Sequence, residues 1–273
     1  MLRTSLTGLQ ASSKNLSVIS NNLANASTTG FKRSEARFAD IINEEAGTRP
    51  GAVFGKGVST VSIERTTAQG SMMGTSSSLD FAVDGAGYFI FGDAPDGETT
   101  DTTTYSRAGR LSMDRSGNLV DDSGAALLGS KAVNGNLQAA NLSPINLVDA
   151  VGGKPETIGT VTISSKGLLT VTTTAGANIP VSYVALGRFA SDSGLKQVGS
   201  NKLMATDQSG EVTIGGSGID GLGSIKQGTI EKSNVDLTSE LMQMIQSQQA
   251  YNGNSRALQT GSEMMRSITE LIS

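Results

Sequence analysis

The 273-residue chain carries 21 Lys and Arg against 25 Asp and Glu, for a formal net charge of −4 and a pI near 5.0, and it contains neither Cys nor His. Those two absences exclude disulfides, thiol catalysis, thiolate or imidazole metal ligation and the usual neutral-pH imidazole base, and no Lys/Arg cluster offers a general nucleic-acid surface. With 34 Gly and 4% aromatic residues, the length allows one large or two modest domains around a light, turn-rich core.

In chain order, Leu2, Leu6, Leu9, Leu16, Ser20 and Leu23 come first, recurring in alternating steps of three and four residues, with Ser13 between Leu9 and Leu16. This predicts one helix from Leu2 to about Asn25, with Gly8 as its weak point. Asn25-Ala26-Ser27-Thr28-Thr29-Gly30 predicts the stop, since Gly30 can take a positive φ. Polar residues interrupt Thr4 to Ser13, so the N-terminus does not read as a secretory signal. Nor does any stretch approach the roughly 20 apolar residues of a membrane span. The chain is expected to be cytosolic or exported by a route that removes nothing.

Residues 31–70 alternate charged and apolar side chains and end with Val58, Val61 and Ile63 in strand-like spacing, which reads as a connector. Residues 71–229 then hold β-branched runs broken by turn signals such as Asp84-Gly85, Ser116-Gly117-Asn118, Ser123-Gly124 and Asn134-Gly135. The clearest hairpin is Val161-Thr162-Ile163 and Leu168-Leu169-Thr170-Val171 around Ser164-Ser165-Lys166-Gly167. Asp93, Asp96, Glu98 and Asp101 lack the flanking helices of a calcium loop, and Pro95 stands where such a loop wants Asp or Asn. Gly216-Ser217-Gly218-Ile219-Asp220-Gly221 matches a dinucleotide motif only in letters, because extended, Gly-broken sequence follows it.

Asp236 is placed to cap a last helix, with Glu240 suiting its positive dipole end. Along that helix Leu237, Leu241, Met244, Gln248, Tyr251, Ser255, Leu258, Ser262, Met265, Thr269 and Ile272 repeat the three-four rule, and Met242, Met244, Met264 and Met265 supply adaptable packing. Stripes at both ends must be buried. The expected fold is therefore α+β, with N- and C-terminal helices (1–30 with 230–273) paired as a coiled coil and a central, mostly antiparallel β domain; the pairing could be within one subunit or between many.

Asn21-Asn22-Leu23-Ala24-Asn25-Ala26-Ser27-Thr28-Thr29-Gly30-Phe31-Lys32 resembles the N-terminal signature of the bacterial flagellar rod and hook proteins, the axial family that builds the tube from cell envelope to filament. Leu79 to Phe89, Tyr105-Ser106-Arg107-Ala108-Gly109, Ser116 to Val120, Gly194-Leu195, Ser233-Asn234-Val235-Asp236-Leu237, Glu240-Leu241, Met244-Ile245 and Gln249-Ala250-Tyr251 are similar to further segments of that family, in its order.

The resemblance implies a self-assembling structural subunit of a hollow, torque-carrying helical tube, with no catalytic, cofactor or metal residues, located in the basal body or hook. Its partners would be further copies of itself, adjacent axial proteins and the flagellar type III export apparatus, with no nucleic acid and no membrane insertion. The assembly seam would comprise Leu6, Leu9, Leu16, Leu23, Leu237, Leu241, Met244, Tyr251, Leu258, Met265 and Ile272, and the signature residues are Asn21, Asn22, Asn25, Gly30, Phe31, Lys32, Ser233, Asn234 and Val235. Distal rod is favoured, because hook proteins typically insert a further outer β domain for which this chain has no room. Against this, the stretch from Phe38 to Val58 is short for a distal rod relative, and Gly221-Leu222-Gly223-Ser224-Ile225 looks hook-like. The alternatives are a hook protein with a minimal outer domain, a non-polymerising flagellar accessory protein, and a glycan-binding or enzymatic β domain.

Overall fold

The leucine periodicity at each end is realised as helix in the computed structural model, which describes residues 2–42, 55–92, 103–131, 142–153, 158–219 and 221–272. The α-helices are α1 (Leu2–Ala24), a single turn α2 (Leu147–Ala150), and α3 (Leu237–Ile272). Gly8 does not break α1, and the expected Gly30 conformation is present at φ 69°, six residues beyond the helix end. At the start of α3 the Asp236 carboxylate accepts from the backbone N–H groups of Thr238 (2.8 Å) and Ser239 (3.1 Å), which is the N-cap geometry that satisfies otherwise orphaned donors.

The chain divides into two compact units. The first holds residues 1–26, 32–66 and 235–273. Here β1 (Ser34–Ile42) and β2 (Gly55–Arg65) form an antiparallel hairpin, within the stretch that reads as a connector, and α1 packs against both this hairpin and α3.

The second unit holds residues 27–31 and 67–234. With strands numbered in chain order, its six-stranded sheet runs β15 (Lys196–Gly199), β16 (Lys202–Met204), β6 (Thr104–Ser106), β5 (Tyr88–Phe91), β14 (Leu186–Arg188), β17 (Thr213–Gly215). The five-stranded sheet runs β10 (Leu142–Pro144), β9 (Leu128–Lys131), β13 (Asn178–Val184), β12 (Leu168–Thr173), β11 (Ile158–Ile163). Two-stranded ladders pair β18 (Ser224–Gln227) with β4 (Phe81–Asp84), β19 (Thr229–Glu231) with β3 (Met72–Gly74), and β7 (Ser112–Met113) with β8 (Leu119–Val120). Every ladder among the described residues is antiparallel. The expected 161–171 hairpin is β11–β12, with Val161 opposite Val171 and Gly167 at φ 80° in the turn. Gly216 to Ile219 and Gly221 lie between β17 and β18 rather than between a strand and a helix, and Asp220 lies outside the described residues. Asp93, Asp96, Glu98 and Asp101 and the Asn134-Gly135 turn lie outside the described residues.

A chain so poor in aromatics concentrates them. Seven of the ten among the described residues are buried, all in this unit. Strand alternation then sends Phe89 and Phe91 of β5 into one apolar cluster, with Phe81, Leu119 and Leu169, and Tyr88 and Ile90 into another, with Tyr105, Phe189 and Leu203. Tyr105 and Phe189 meet edge to face at 4.7 Å, and burial pushes the Tyr105 phenol up to about 12.

The turn after β8 is held by charge. Lys202 bonds Asp121 (2.9 Å) and Ser123, and Asp121 also accepts from the N–H groups of Ser123 (3.0 Å) and Ala125 (2.9 Å). Burial raises the Asp121 carboxyl, but Lys202, Ser123 and Ala125 together outweigh it and leave it below its ordinary value. A lowered folded pKa contributes stability above the unfolded value of about 3.9 and loses it as pH falls through the folded value. Asp121→Asn is therefore expected to destabilise the chain by about 1–3 kcal/mol at pH 7, with the gap to the unaltered chain closing below about pH 4; urea unfolding at both pH values measures it.

Candidate functional site

In the first unit α1 and α3 lie antiparallel, in a register set by small and polar residues. Asn22 donates to the Glu240 carboxylate (3.2 Å), and Asn15 donates to the Ser247 hydroxyl (2.8 Å). A Cβ on Gly8 would stand 2.8 Å from the Asn254 amide, and one on Gly261 would stand 2.8 Å from Leu2. Positions 8, 15 and 22 ascend by sevens while 254, 247 and 240 descend by sevens, so the facing row repeats once per two helical turns. The buried residues of α1 are Ser5, Val18, Ile19 and Asn22, and those of α3 are Glu240, Ser247 and Gly261.

The row that touches is one residue away from the leucine row. On α1 it passes through 8, 15 and 22, against 9, 16 and 23 of the predicted seam, a rotation of about 100° around the helix. None of the predicted seam residues with a described side chain is fully buried within one chain. Leu6 (47%), Leu237 (52%), Leu241 (48%), Tyr251 (36%) and Met265 (56%) are exposed, while Leu9, Leu16, Leu23, Met244 and Leu258 are half-buried. The side chain of Ile272 lies outside the described residues. Beyond Gly261, α3 continues with Met264, Met265, Ile268 and Leu271, all exposed. A single chain thus sets its helix pair largely through small and polar groups and leaves apolar side chains of both helices exposed.

A polar node fixes the end of that pair. Asn22 forms a two-way bond with the Ser34 backbone, its Oδ1 accepting the N–H (2.9 Å) and its Nδ2 donating to the C=O (2.8 Å). Arg33 bonds the buried Glu240 carboxylate, and its other nitrogens reach Glu35 (2.6 Å) and Gln243 (3.4 Å). Glu240 was expected to sit at the helix dipole; it also ties α1, the start of β1 and the first turn of α3 together. Because a buried carboxylate is tolerated only with its partners in place, Glu240→Gln is expected to weaken the helical unit by about 1.5–3 kcal/mol; faster amide exchange along α1 reads it out.

The signature residues have local roles. Asn21 is exposed, and its carbonyl accepts both the backbone N–H (3.1 Å) and the side-chain amide (2.9 Å) of Asn25, which closes the end of α1. Lys32 is buried in the first unit, and Val235 is half-buried there. In the second unit Gly30 donates to the Glu231 carbonyl (2.8 Å), and a Cβ on it would meet Ala108 N at 2.6 Å, so that glycine is required both by φ and by contact. Phe31 and Ser233 are half-buried; the Phe31 carbonyl accepts from Asn234 N–H (3.4 Å), and the Asn234 side chain reaches Ala68 (2.9 Å).

Sequence reading singled out Arg107 only as part of a similar segment, yet it anchors the β unit. It pairs with the fully buried Glu231 (3.3 Å), donates to the Val83 and Gly85 carbonyls, and lies 5.2 Å over the Tyr88 ring. Glu231 also accepts from Gly70 N–H (2.8 Å). An open groove of about 460 Å³ in the same unit is lined by Asn118, Asn146 and Asp149. Its amides bond one another (3.0 Å), Asp114 and the α2 backbone, so they serve the fold. Among the described residues no cluster of acidic side chains could hold a metal, and no helix is long and apolar enough to cross a membrane.

Comparison with known proteins adds three family matches in the order of the chain. Residues 2–32 match "Flagella basal body rod protein", residues 82–171 "Flagellar hook protein FlgE/F/G D1 domain", and residues 226–271 "Flagellar basal body rod FlgEFG protein C-terminal". The flagellar basal-body rod protein FlgG of Buchnera aphidicola (subsp. Acyrthosiphon pisum) is 35% identical over 98% of this chain and 97% of its own length. That of Caulobacter vibrioides is 34% identical over 99% and 98%. The flagellar hook protein FlgE of Brucella suis is 24% identical, in an alignment spread over 397 positions.

Proposed function

Because the chain belongs to the flagellar rod and hook protein family, we propose that it is a structural subunit of the axial tube in the basal body and hook, in the distal rod rather than the hook. The rod proteins align over nearly their whole length with few gaps, whereas the hook protein needs an alignment of 397 positions against 273 residues here. The missing positions leave no room for an additional outer domain.

The observation that carries this reading is the split between two helix faces. Gly8, Asn15 and Asn22 meet α3 within one chain, a pairing we read as a short antiparallel coiled coil, and the exposed leucines and methionines are then available to neighbouring copies. Contacts of this kind, made by one face of each subunit on a different face of the next, build open helical polymers. The subunit assembles with further copies and with adjacent axial proteins. It reaches its site through the flagellar type III export apparatus, a route compatible with a chain that holds no disulfide or thiol to obstruct unfolding.

A helix pair with so few buried apolar side chains is weak by itself. In dilute solution the amides of α1 and α3 are expected to exchange at least about 100-fold faster than those of β5 and β12, and to become protected on assembly. Exchange measured on isolated and assembled material tests the proposal: equal protection of helices and sheets in a proven monomer would mean a self-sufficient helix pair and no need of neighbours. Disabling the export gate is expected to stop the chain from leaving the cytoplasm.

A further inference from the structure

Two described residues other than glycine have positive φ, Ser200 (50°) and Asn201 (57°), and they are adjacent. They form the tip of the β15–β16 hairpin, between the paired residues Gly199 and Lys202. Turns with two left-handed residues favour Asn-Gly or Gly-Gly, because glycine carries no Cβ penalty there. Ser200 in the first place and Asn201 in the second are a poor choice for the turn alone.

What the turn gains is a directed amide. Asn201 Nδ2 donates to the Thr29 carbonyl (2.9 Å), and the Asn201 carbonyl in turn accepts from the Ser106 hydroxyl (3.0 Å), which also takes the Ala108 N–H (3.1 Å). Gly30, next in the chain, is bonded to Glu231 and seated on Ala108. Phe31 is bonded to Asn234. Residues 27–31, the five-residue passage from α1 toward β1, are therefore gripped at three consecutive residues, Thr29, Gly30 and Phe31, and one grip comes from a strained hairpin tip about 170 residues away in sequence.

We propose that the Ser200-Asn201 turn is a latch that holds the 27–31 backbone on the β unit. Load carried along the covalent chain from α1 enters the sheets through these bonds, and the latch decides how stiff that entry is. The assignment does not depend on polymerisation, because every group in it lies within one unit of one chain.

The test is amide exchange at Thr29 to Phe31 in the isolated full-length chain, with exchange at Lys202 to Met204 as the internal check on the hairpin. Asn201→Gly suits the left-handed turn better than Asn but removes the amide, and Asn201→Asp keeps the shape while setting an acceptor against the Thr29 carbonyl. Both are expected to speed exchange at Gly30 by about tenfold or more while the hairpin stays protected. Ser200→Gly relieves strain and keeps the amide, so exchange at Gly30 should stay at or below the unaltered rate. If Asn201→Gly and Asn201→Asp leave Gly30 as protected as before, or expose it only together with the whole hairpin, the turn is no latch.

Discussion

Leu241→Asp is expected to leave the isolated chain folded and yet to abolish axial assembly and swimming. Leu241 is 48% exposed within one chain, so an aspartate there is hydrated and should change monomer stability by no more than about 0.5 kcal/mol. In a packed interface the same carboxylate loses its water without gaining a partner, a penalty of several kcal/mol repeated at every subunit. Leu23→Asp is expected to act in the same direction, although Leu23 is already half-buried and its monomer effect will be larger. Glu211→Ala, on the exposed surface of the β unit, should leave both properties near normal. Motility together with electron microscopy of purified hook–basal bodies decides the matter. A ligand-binding or catalytic β domain would show the reverse ordering, with the helix variants silent.

Arg107→Met is expected to lower the stability of the β unit by about 3–5 kcal/mol, a large fraction of the stability of an ordinary domain. The methionine fills much of the volume, but Glu231, at 0% exposure, then loses its guanidinium partner. Replacing Glu231 by Gln in the same chain removes the charge and retains an acceptor for Gly70. The double variant should therefore recover part of the loss, and that non-additivity separates ion pairing from packing. Urea unfolding of the four chains provides the cycle. If Arg107→Met costs less than about 1 kcal/mol, the pair is not a determinant of the fold.

The terminal helices, the Asp236 cap, the Gly30 conformation and the β11–β12 hairpin were legible because each rests on local chemistry: period, capping oxygen, or a glycine where φ is positive. The pairing face was not. Leu6, Leu9, Leu16 and Leu23 dominate any hydrophobic periodicity, whereas Gly8, Asn15 and Asn22, which meet α3, carry no apolar signal. Only the helix-to-helix register shows that Asn15 meets Ser247 and Asn22 meets Glu240. The β1–β2 pairing was hidden for a related reason. Neither strand buries a full face, with Ile42, Val61 and Ile63 all exposed, so the alternation that marks a half-buried strand is blurred. Arg107 and Glu231 could not be joined from sequence at all, since 124 residues separate them and buried charges carry no periodic signal.

The central claim is that one row of each terminal helix closes the pair within a subunit and the adjacent leucine row joins subunits. Cryo-electron microscopy of the assembled axial structure, with side chains resolved in its inner layer, tests this most directly. The account predicts Asn22, Arg33 and Glu240 in contact within one chain, and Leu6, Leu237 and Leu241 packed against helices of neighbouring chains. Finding those leucines against solvent, with neighbours joined only through the β units, would contradict it.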